Sequence, residues 1–478
     1  MAAQRRESYR FRIAAFFCGL GIMSSMVERK VRKIKGLMPP EHLRNHTLLF
    51  EPGLIPPDVG EALRVAIKKV SSEGGGMPSN ARDTNFYSPK HEHIGEARPR
   101  DPLTGECDHP FLVPSKNGSL CVLAGRLDIG RHFITTGGLD ALRESYDTLV
   151  SRVLSFGVYL FGSDVPSAVR GLFSDERFVA LARKICPTDR QYLDPFQSNF
   201  IVQVPGQTVA AHLDGVYFWG ADRFQFPQWL LAAMQFSNLF ADRFVHQVQV
   251  VGYLHEWQPS SDRAGEFVFW DGSTRLGIKE DPLPLAGSAV DGTKTVHAAT
   301  VYMPQEQPPA IDKDLDTRLF YNSAGGKKAR GGKSAGGSEK RWQLRVGDEV
   351  LRNYTTDDLR MSIVYRARCF RDAAEAKKFN AQLADGRPPE RGSGQPQPPM
   401  ELEDVLRVFA EDLVKRGKVQ SLVYALDPSW RLEFALLIMD TYIKYPLPTR
   451  PGTLILKNYC ALPRTHPWTK PFLSLICR

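Results

Sequence analysis

The sequence predicts an α+β fold in which a strand-rich middle is flanked by helical segments. Apolar residues recur at helical spacing over 138–190 and again over 401–443. Between these segments, over 198–304 and 345–370, short β-branched and aromatic runs are broken by turn residues. Strands grouped in the middle of a chain and helices grouped around them favour an α+β arrangement.

The first predicted elements are a strand and a helix within 45–70, where Pro56, Pro57 and Asp58 suit a helix start. Residues 71–120 are rich in Gly, Pro, Ser and Asn, which predicts loops with short strands. The predicted segments are an N-terminal basic and apolar piece (1–43), an α/β region that supports the core (44–194), the core (195–375) with a mobile insertion near 305–355, a linker (376–400), and a C-terminal helical extension with a tail (401–478).

Composition and charge exclude several classes of protein. The chain has 478 residues, of which 42 % are hydrophobic and 24 % charged. These values are ordinary for a soluble globular protein and exclude wholesale disorder, a collagen and a polytopic membrane protein. The net charge of +9 would help binding to an acidic partner, but it is too small to establish one.

The N-terminal run 13–27 carries no charge and follows four arginines. It allows three interpretations: a signal peptide or short signal anchor, an organelle transit peptide, or an ordinary apolar helix. The run is shorter than the ~20 residues that a membrane span usually needs. Peripheral or short-anchor membrane association therefore stays open, as do cytoplasmic, endoplasmic-reticulum-associated and organellar locations.

The seven cysteines contain no closely spaced pair. This spacing disfavours a zinc ribbon, a redox pair and a dense disulfide framework. The sequence therefore predicts mainly free thiols, with one disulfide such as Cys460–Cys477 open if the chain is secreted.

The stretch 199–215, NFIVQVPGQTVAAHLDG, holds the most informative side chains. It predicts a strand, a tight turn and a second strand that ends in His212-Leu213-Asp214. Because residues i and i+2 of a strand point to the same face, His212 and Asp214 would present an imidazole and a carboxylate side by side. A second histidine would complete a facial ligand set that suits Fe(II), and His297, in the strand-like run TVHAATVY, is the candidate.

Four segments in this order resemble the Fe(II)/2-oxoglutarate-dependent oxygenases, most closely the prolyl- and lysyl-hydroxylase type. They are PGQTVAAHLDG, YLHEWQPSSDRAGEFVFWDG, LAGSAVDGTKTVHAATV and LRMSIVYRAR, and they cover about 195–370. The resemblance implies a double-stranded β-helix (jelly-roll) core with flanking helices, with His212, Asp214 and His297 as the catalytic iron ligands. It also implies Fe(II) and 2-oxoglutarate as cofactors, O2 as co-substrate, and hydroxylation coupled to decarboxylation of 2-oxoglutarate to succinate; ascorbate could also take part.

The far carboxylate of 2-oxoglutarate needs a cation, and the family places a basic residue about ten positions after the second histidine. No basic residue occurs there in this chain. Arg360 is preferred, because Arg360-Met361-Ser362 matches the family's RxS pattern and Ser362 would bind the same carboxylate; Arg318 is the second choice. Arg366 resembles a second arginine of the nucleic-acid dealkylating oxygenases, although a charge on an edge strand is the simpler interpretation.

The resemblance favours a protein or peptide side chain as the substrate. Nucleic acid comes second, supported by Arg366 and the mild positive charge, and a small metabolite comes third. A catalytically inactive scaffold of the same fold, with the C-terminal helices docking a partner, is the competing hypothesis. The oligomeric state is not predicted.

Overall fold

The computed structural model describes residues 38–72, 75–79, 97–123, 146–160, 165–322, 341–385 and 400–444, without 47, 101, 103–106, 108, 110, 115–118, 224, 274–276 and 312–314. The apolar run 13–27, the basic loop 323–340 and the tail from 445 onward lie outside the described residues. None of the helices within the described ranges is long and apolar enough to cross a membrane.

The strands are β1 (Leu49–Glu51), β2 (Met77–Pro78), β3 (Arg98–Pro99), β4 (Leu112–Pro114), β5 (Leu120–Leu123), β6 (Phe156–Tyr159), β7 (Tyr192–Gln203), β8 (Val209–His212), β9 (Tyr217–Phe218), β10 (Phe244–Val245), β11 (Gln247–Tyr253), β12 (Phe267–Trp270), β13 (Ile278–Glu280), β14 (Gly287–Val290), β15 (Val296–Ala299), β16 (Thr317–Tyr321), β17 (Trp342–Val346), β18 (Glu349–Tyr354) and β19 (Arg360–Phe370). The helices are α1 (Pro57–Ser72), α2 (Tyr146–Val153), α3 (Ser167–Ser174), α4 (Glu176–Ile185), α5 (Gln228–Ser237), α6 (Ala373–Asp385), α7 (Leu402–Lys415), α8 (Leu422–Ala425) and α9 (Arg431–Tyr442).

Two antiparallel sheets face each other and form the centre of the molecule. The larger has six strands in the order β1-β14-β11-β19-β7-β6, and the smaller has four in the order β13-β12-β15-β8. Apolar side chains from both sheets meet in one buried cluster between them, which we call the intersheet cluster. Its buried members are Val251, Tyr253, Phe267, Phe269, Ala286, Val290 and Val364. The α+β class predicted from the sequence is therefore confirmed.

Each sheet is covered on its outer face by helices. The outer face of the larger sheet, including Phe200 and Val250, shares a buried cluster with Leu63 of α1 and Phe178 of α4. The outer face of the smaller sheet, including Val296, shares another cluster with α5, α7 and α9. The C-terminal helices thus bury one flank of the central sheets, because an apolar sheet face must be covered from water.

Local signals explain where several helices begin. The Asp175 side chain accepts hydrogen bonds from the backbone N–H groups of Arg177 and Phe178, which caps α4. Helix α1 begins at Pro57, with Asp58 in its first turn, as the sequence predicts. Helix α7 carries Glu403 and Asp404 in its first turn, where a negative charge interacts favourably with the helix dipole.

Three parts of the chain differ from the sequence prediction. The predicted helical stretch 138–190 contains β6, because its aromatic residues pair with β7 at the edge of the larger sheet. The predicted mobile insertion near 305–355 contains β16, β17 and β18, which form a sheet with β2 in the order β18-β17-β16-β2. Part of the predicted linker 376–400 continues α6, which ends at Asp385.

The prediction of mainly free thiols is wrong for the described cysteines. Cys107 is bonded to Cys121, and Cys186 is bonded to Cys369, with a Cα–Cα distance of 5.7 Å in each pair. The second pair is separated by 183 residues in sequence, so only the fold brings it together. The suggested Cys460–Cys477 pair lies outside the described residues.

Candidate metal and anion site

His212, Asp214 and His297 meet at one end of the interior between the two sheets. His212 is the last residue of β8, and it is the cross-strand partner of His297 on β15. Asp214 follows the end of β8, and its backbone N–H donates to the Gly292 carbonyl at 2.8 Å. The two strands and this loop contact therefore bring together the three side chains that the sequence singled out.

The three side chains are close enough to share one metal ion. One ligand atom from each lies within 4.8 Å of the others. Asp214 Oδ1 is 3.6 Å from His212 Nε2 and 3.9 Å from His297 Nε2. Asp214 and His297 are buried, and the His212 side chain keeps 11 % of its exposure. Two imidazoles and one carboxylate form a donor set that suits Fe(II).

Backbone carbonyls fix the tautomer of both histidines. His212 Nδ1 is 2.7 Å from the Ala210 carbonyl oxygen, and His297 Nδ1 is 2.9 Å from the Thr295 carbonyl oxygen. A carbonyl oxygen only accepts, so each Nδ1 carries the proton and donates it. Each Nε2 consequently carries a lone pair and no proton, which is the form that binds a metal.

Electrostatics keep Asp214 charged and His297 neutral. Burial alone would raise the pKa of Asp214, but the positive charge of Arg366 holds this pKa well below its usual value. Burial, and then the neighbouring His212, lower the pKa of His297 to about 4. At neutral pH both groups are therefore in the protonation state that a metal requires.

Arg366 and Gln249 surround the three ligands on the side of the larger sheet. An Arg366 Nη2 hydrogen donates to Asp214 Oδ1, and Arg366 Nε donates to Gln249 Oε1 at 2.7 Å. Gln249 Nε2 lies 3.2 Å from His297 Nε2. The sequence interpretation of Arg366 as an edge-strand charge is wrong, because β19 lies between β11 and β7.

Gly292 is required by the close approach of Asp214. A Cβ atom at position 292 would lie 2.0 Å from Asp214 Oδ2 and 3.0 Å from His297 Cε1. Sequence reasoning did not identify Gln249 or Gly292 as site residues. The turn Asp291-Gly292-Thr293 before His297 can be recognised in the sequence, but its residues do not indicate that Asp214 packs against the glycine.

Arg360 lies at the opposite end of the interior and is 4 % exposed. It begins β19 as the cross-strand partner of Gln203 on β7. Its Nε donates to the Gly265 carbonyl at 3.0 Å, its Nη1 donates to Gln203 Oε1 at 2.8 Å, and its Cζ lies 5.4 Å from the centre of the Tyr253 ring. Within the described ranges no carboxylate lies within 4.0 Å of this guanidinium. Burial lowers the pKa of Arg360.

The other predicted anion-binding residues lie in different surroundings. Ser362 is buried on the same face of β19 as Arg360, and its hydroxyl donates to the Ile201 carbonyl at a long 3.4 Å. Arg318 lies on β16 in the separate sheet, where it pairs with Asp316 at 2.8 Å and its Nη1 donates to the Gly75 carbonyl. Arg360 therefore faces the interior, whereas the second choice, Arg318, does not.

The intersheet cluster connects the two ends. On β11, Gln249 contacts His297 and Tyr253 contacts Arg360, four residues apart on one face. At roughly 3.3 Å per residue this separation is about 13 Å. The interior face between the metal-type ligand set and the buried cation is thus lined by the apolar intersheet cluster, and we call this stretch the passage.

Neither a protein-family model nor a curated protein matches the chain. Solved structures that resemble it include a prolyl-4-hydroxylase of Pseudomonas putida, at 11 % identity and a TM-score of 0.28, covering 68 % of this chain and 93 % of that one. A prolyl hydroxylase of Trichoplax adhaerens, in complex with a peptide fragment of hypoxia inducible factor, is 8 % identical at a TM-score of 0.31, covering 75 % and 96 %. The 2-oxoglutarate complex of a collagen prolyl hydroxylase from Paramecium bursaria Chlorella virus-1 is 12 % identical at a TM-score of 0.23, covering 45 % and 78 %.

Proposed function

We propose that the chain is an Fe(II)- and 2-oxoglutarate-dependent dioxygenase that hydroxylates a C–H bond. In this proposal His212, Asp214 and His297 hold the iron, and Arg360 with Ser362 holds the far carboxylate of 2-oxoglutarate. The strands of the two facing antiparallel sheets that fall within 195–375 would form a double-stranded β-helix core. The side chains and their surroundings, rather than overall similarity, carry this proposal.

One observation supports this proposal most: a buried cation without a carboxylate partner among the described residues and a complete metal-type ligand set contact the same face of β11, at Tyr253 and Gln249. A buried charge is costly unless it is paired. Arg360 has no carboxylate partner among the residues that the structure describes, so a bound anion is the natural counter-ion. A five-carbon dicarboxylate that chelates a metal through one end and meets a guanidinium with the other would match the chemistry of both ends of this passage.

In this proposal some residues of the chain bind and orient the metal ligands, and others exclude water. When bound together, Fe(II) and 2-oxoglutarate would supply the oxidant for O2-dependent hydroxylation, with 2-oxoglutarate converted to succinate and CO2. The backbone carbonyls of Ala210 and Thr295 orient the two imidazoles, and Arg366 orients the Asp214 carboxylate. The apolar intersheet cluster excludes water from the passage.

We further propose a protein or peptide side chain as the substrate. Amide side chains line the larger sheet beside and beyond the metal-type ligands: Gln249 at the ligands, then Gln197 and Gln247 further along β7 and β11. An amide both donates and accepts hydrogen bonds, so it matches the backbone of a peptide. Gln197 and Gln247 also bond within the chain, to Asn199 and to the Gly215 carbonyl, as Arg366 does to Asp214 and Gln249. The choice of a peptide over nucleic acid therefore rests on the sequence resemblance to the prolyl and lysyl hydroxylases.

The proposal is tested by anaerobic titration of the purified protein with Fe(II) and then 2-oxoglutarate, following the visible metal-to-ligand charge-transfer band. We expect a band in the wild type and in Arg318→Ala, and a much weaker band in Arg360→Ala. A correctly folded wild-type protein without a band would contradict the enzyme assignment and favour an inactive scaffold. A band that weakens only in Arg318→Ala would contradict the assigned anion-binding residue.

A further inference from the structure

Gln203 is a buried side chain whose hydrogen bonds are only half used. It is fully buried, and its Oε1 accepts from Arg360 Nη1 at 2.8 Å. Its Nε2 has no hydrogen-bond partner among the described residues. A buried N–H group without an acceptor is destabilising, so its persistence needs an explanation.

The unpartnered nitrogen lies beside the buried guanidinium. Both belong to a directly opposed pair across β7 and β19, and the two atoms of the Gln203 amide share one rigid plane. Because Gln203 Oε1 accepts a hydrogen bond from Arg360 and Nε2 belongs to the same amide group, Nε2 also lies close to the guanidinium. A guanidinium without a carboxylate partner and an amide N–H without an acceptor, both judged among the described residues, therefore adjoin each other at the end of the passage.

Other polar groups at this end are already engaged. The Tyr253 hydroxyl is 3.1 Å from the Ser288 hydroxyl, and Gly265 supplies only a carbonyl oxygen that Arg360 Nε already uses. The nearest acidic side chain that affects Arg360, Glu266, bonds to Lys279 and Thr300 instead. The neutral amide of Gln203 therefore orients Arg360 without cancelling its charge.

We propose that Gln203 is a second anchor for the far carboxylate of 2-oxoglutarate: its Nε2 donates to this carboxylate while its Oε1 holds the Arg360 guanidinium in place. This inference rests on the proposed function. It adds that the residue opposite Arg360 must be neutral as well as polar, because a carboxylate there would take the place of the ligand as the counter-ion.

The test compares Gln203→Met, which removes the donor, with Gln203→Glu, which supplies an internal counter-ion at nearly the same volume. Mn(II)-loaded proteins are titrated under argon with 2-oxoglutarate by calorimetry, and separately with pyruvate, which keeps the 2-oxo acid end but lacks the far carboxylate. Gln235→Glu, a buried glutamine on α5, controls for the general cost of burying a carboxylate.

We expect Gln203→Met to bind 2-oxoglutarate about 10- to 100-fold more weakly, as for one hydrogen bond to a charged group. Gln203→Glu should lose more than about 100-fold, because it also neutralises Arg360. Pyruvate binding should be unchanged in both variants, and Gln235→Glu should bind 2-oxoglutarate as the wild type does.

Two results would overturn the inference in distinguishable ways. If the folded Gln203 variants bind 2-oxoglutarate within about threefold of a wild type that does bind it, Gln203 is not an anchor and the proposed function stands. If pyruvate binding falls as much as 2-oxoglutarate binding, Gln203 acts on the metal end instead. A wild type that binds neither acid overturns the proposed function and this inference with it.

Discussion

The two ends of the passage differ in how completely the chain satisfies their polar groups. At the metal end, each histidine Nδ1 donates to a carbonyl, and Asp214 accepts from Arg366. At the anion end, Arg360 has no carboxylate partner among the described residues and Gln203 keeps an unused N–H. The metal end is therefore held by its own hydrogen bonds, whereas our proposal assigns the unsatisfied groups of the anion end to a bound ligand.

The largest expected effect comes from removing one of the three metal-type ligands. His212→Ala should abolish 2-oxoglutarate turnover and weaken metal binding by well over the roughly 100-fold typical of losing an outer hydrogen bond. The fold should survive, because the His212 side chain is partly exposed and lies at the end of a strand. Succinate formation, metal affinity and circular dichroism check these three statements.

His109→Ala is the matched control, since His109 pairs with Asp440 away from the site. It should bind metal and turn over like the wild type. Near-normal succinate production by His212→Ala would refute the assignment of the metal end.

The next largest effect should come from removing Arg360, and it should affect 2-oxoglutarate binding without affecting metal binding. Arg360→Ala should weaken 2-oxoglutarate binding by more than about 100-fold, because it removes a buried guanidinium that meets a carboxylate. Metal affinity should stay within about threefold of the wild type, since Arg360 contacts Gly265, Gln203 and Tyr253 rather than the three metal-type ligands. Calorimetry with Mn(II) alone, then with 2-oxoglutarate, measures both quantities. Parallel losses of metal and 2-oxoglutarate binding would show that the ends are not independent.

A third prediction concerns the pH dependence of stability, because a neutral histidine is buried near each end of the passage. Burial lowers the pKa of His255, near the anion end, to about 3, and burial with His212 lowers that of His297 to about 4. The unfolded chain binds these protons near pH 6.5, before the folded chain does, so stability is lost as pH falls below that value. For His255 the loss from pH 7 to pH 5 should be about 2 kcal/mol.

Urea denaturation of the metal-free protein at the two pH values measures this loss. His255→Phe keeps an aromatic ring to stack on Trp257, 3.7 Å away, but cannot titrate, so its loss should be smaller by about 2 kcal/mol. Added Mn(II) should reduce the remaining acid sensitivity, because a metal protects His297 from protonation. Equal losses in wild type and His255→Phe would contradict the neutral, buried state of His255.

The sequence alone predicts the metal end better than the anion end. The i, i+2 spacing of His212 and Asp214 and the strand around His297 are local patterns, and the structure brings all three side chains together. Gln203 and Gln249 acquire their positions only through the register of β7 and β11 against β19. A register between strands more than 100 residues apart is not visible in one sequence.

Other differences have the same physical origin. Helix α5 was not predicted, because nearly every one of its side chains is buried and the run shows no polar face. Cys186 and Cys369 are brought together by α4 packing beside β19, so their spacing in sequence gave no signal. The α+β class needed only local periodicity, and it is confirmed.

The smallest expected effect concerns Ser362, which the RxS pattern assigns to the same carboxylate as Arg360. Its present hydrogen bond to the Ile201 carbonyl, at 3.4 Å, is long, so the hydroxyl can turn to another acceptor at little cost. Ser362→Ala should therefore weaken 2-oxoglutarate binding by about 3- to 10-fold, as for one hydrogen bond of ordinary strength, and should leave metal and pyruvate binding unchanged. Thr317→Val, at a buried hydroxyl in the separate sheet, is the control. If Ser362→Ala binds 2-oxoglutarate like the wild type, the carboxylate is held by Arg360 and Gln203 without the serine. The carboxylate would then be bound by fewer residues of β19 than the RxS pattern implies.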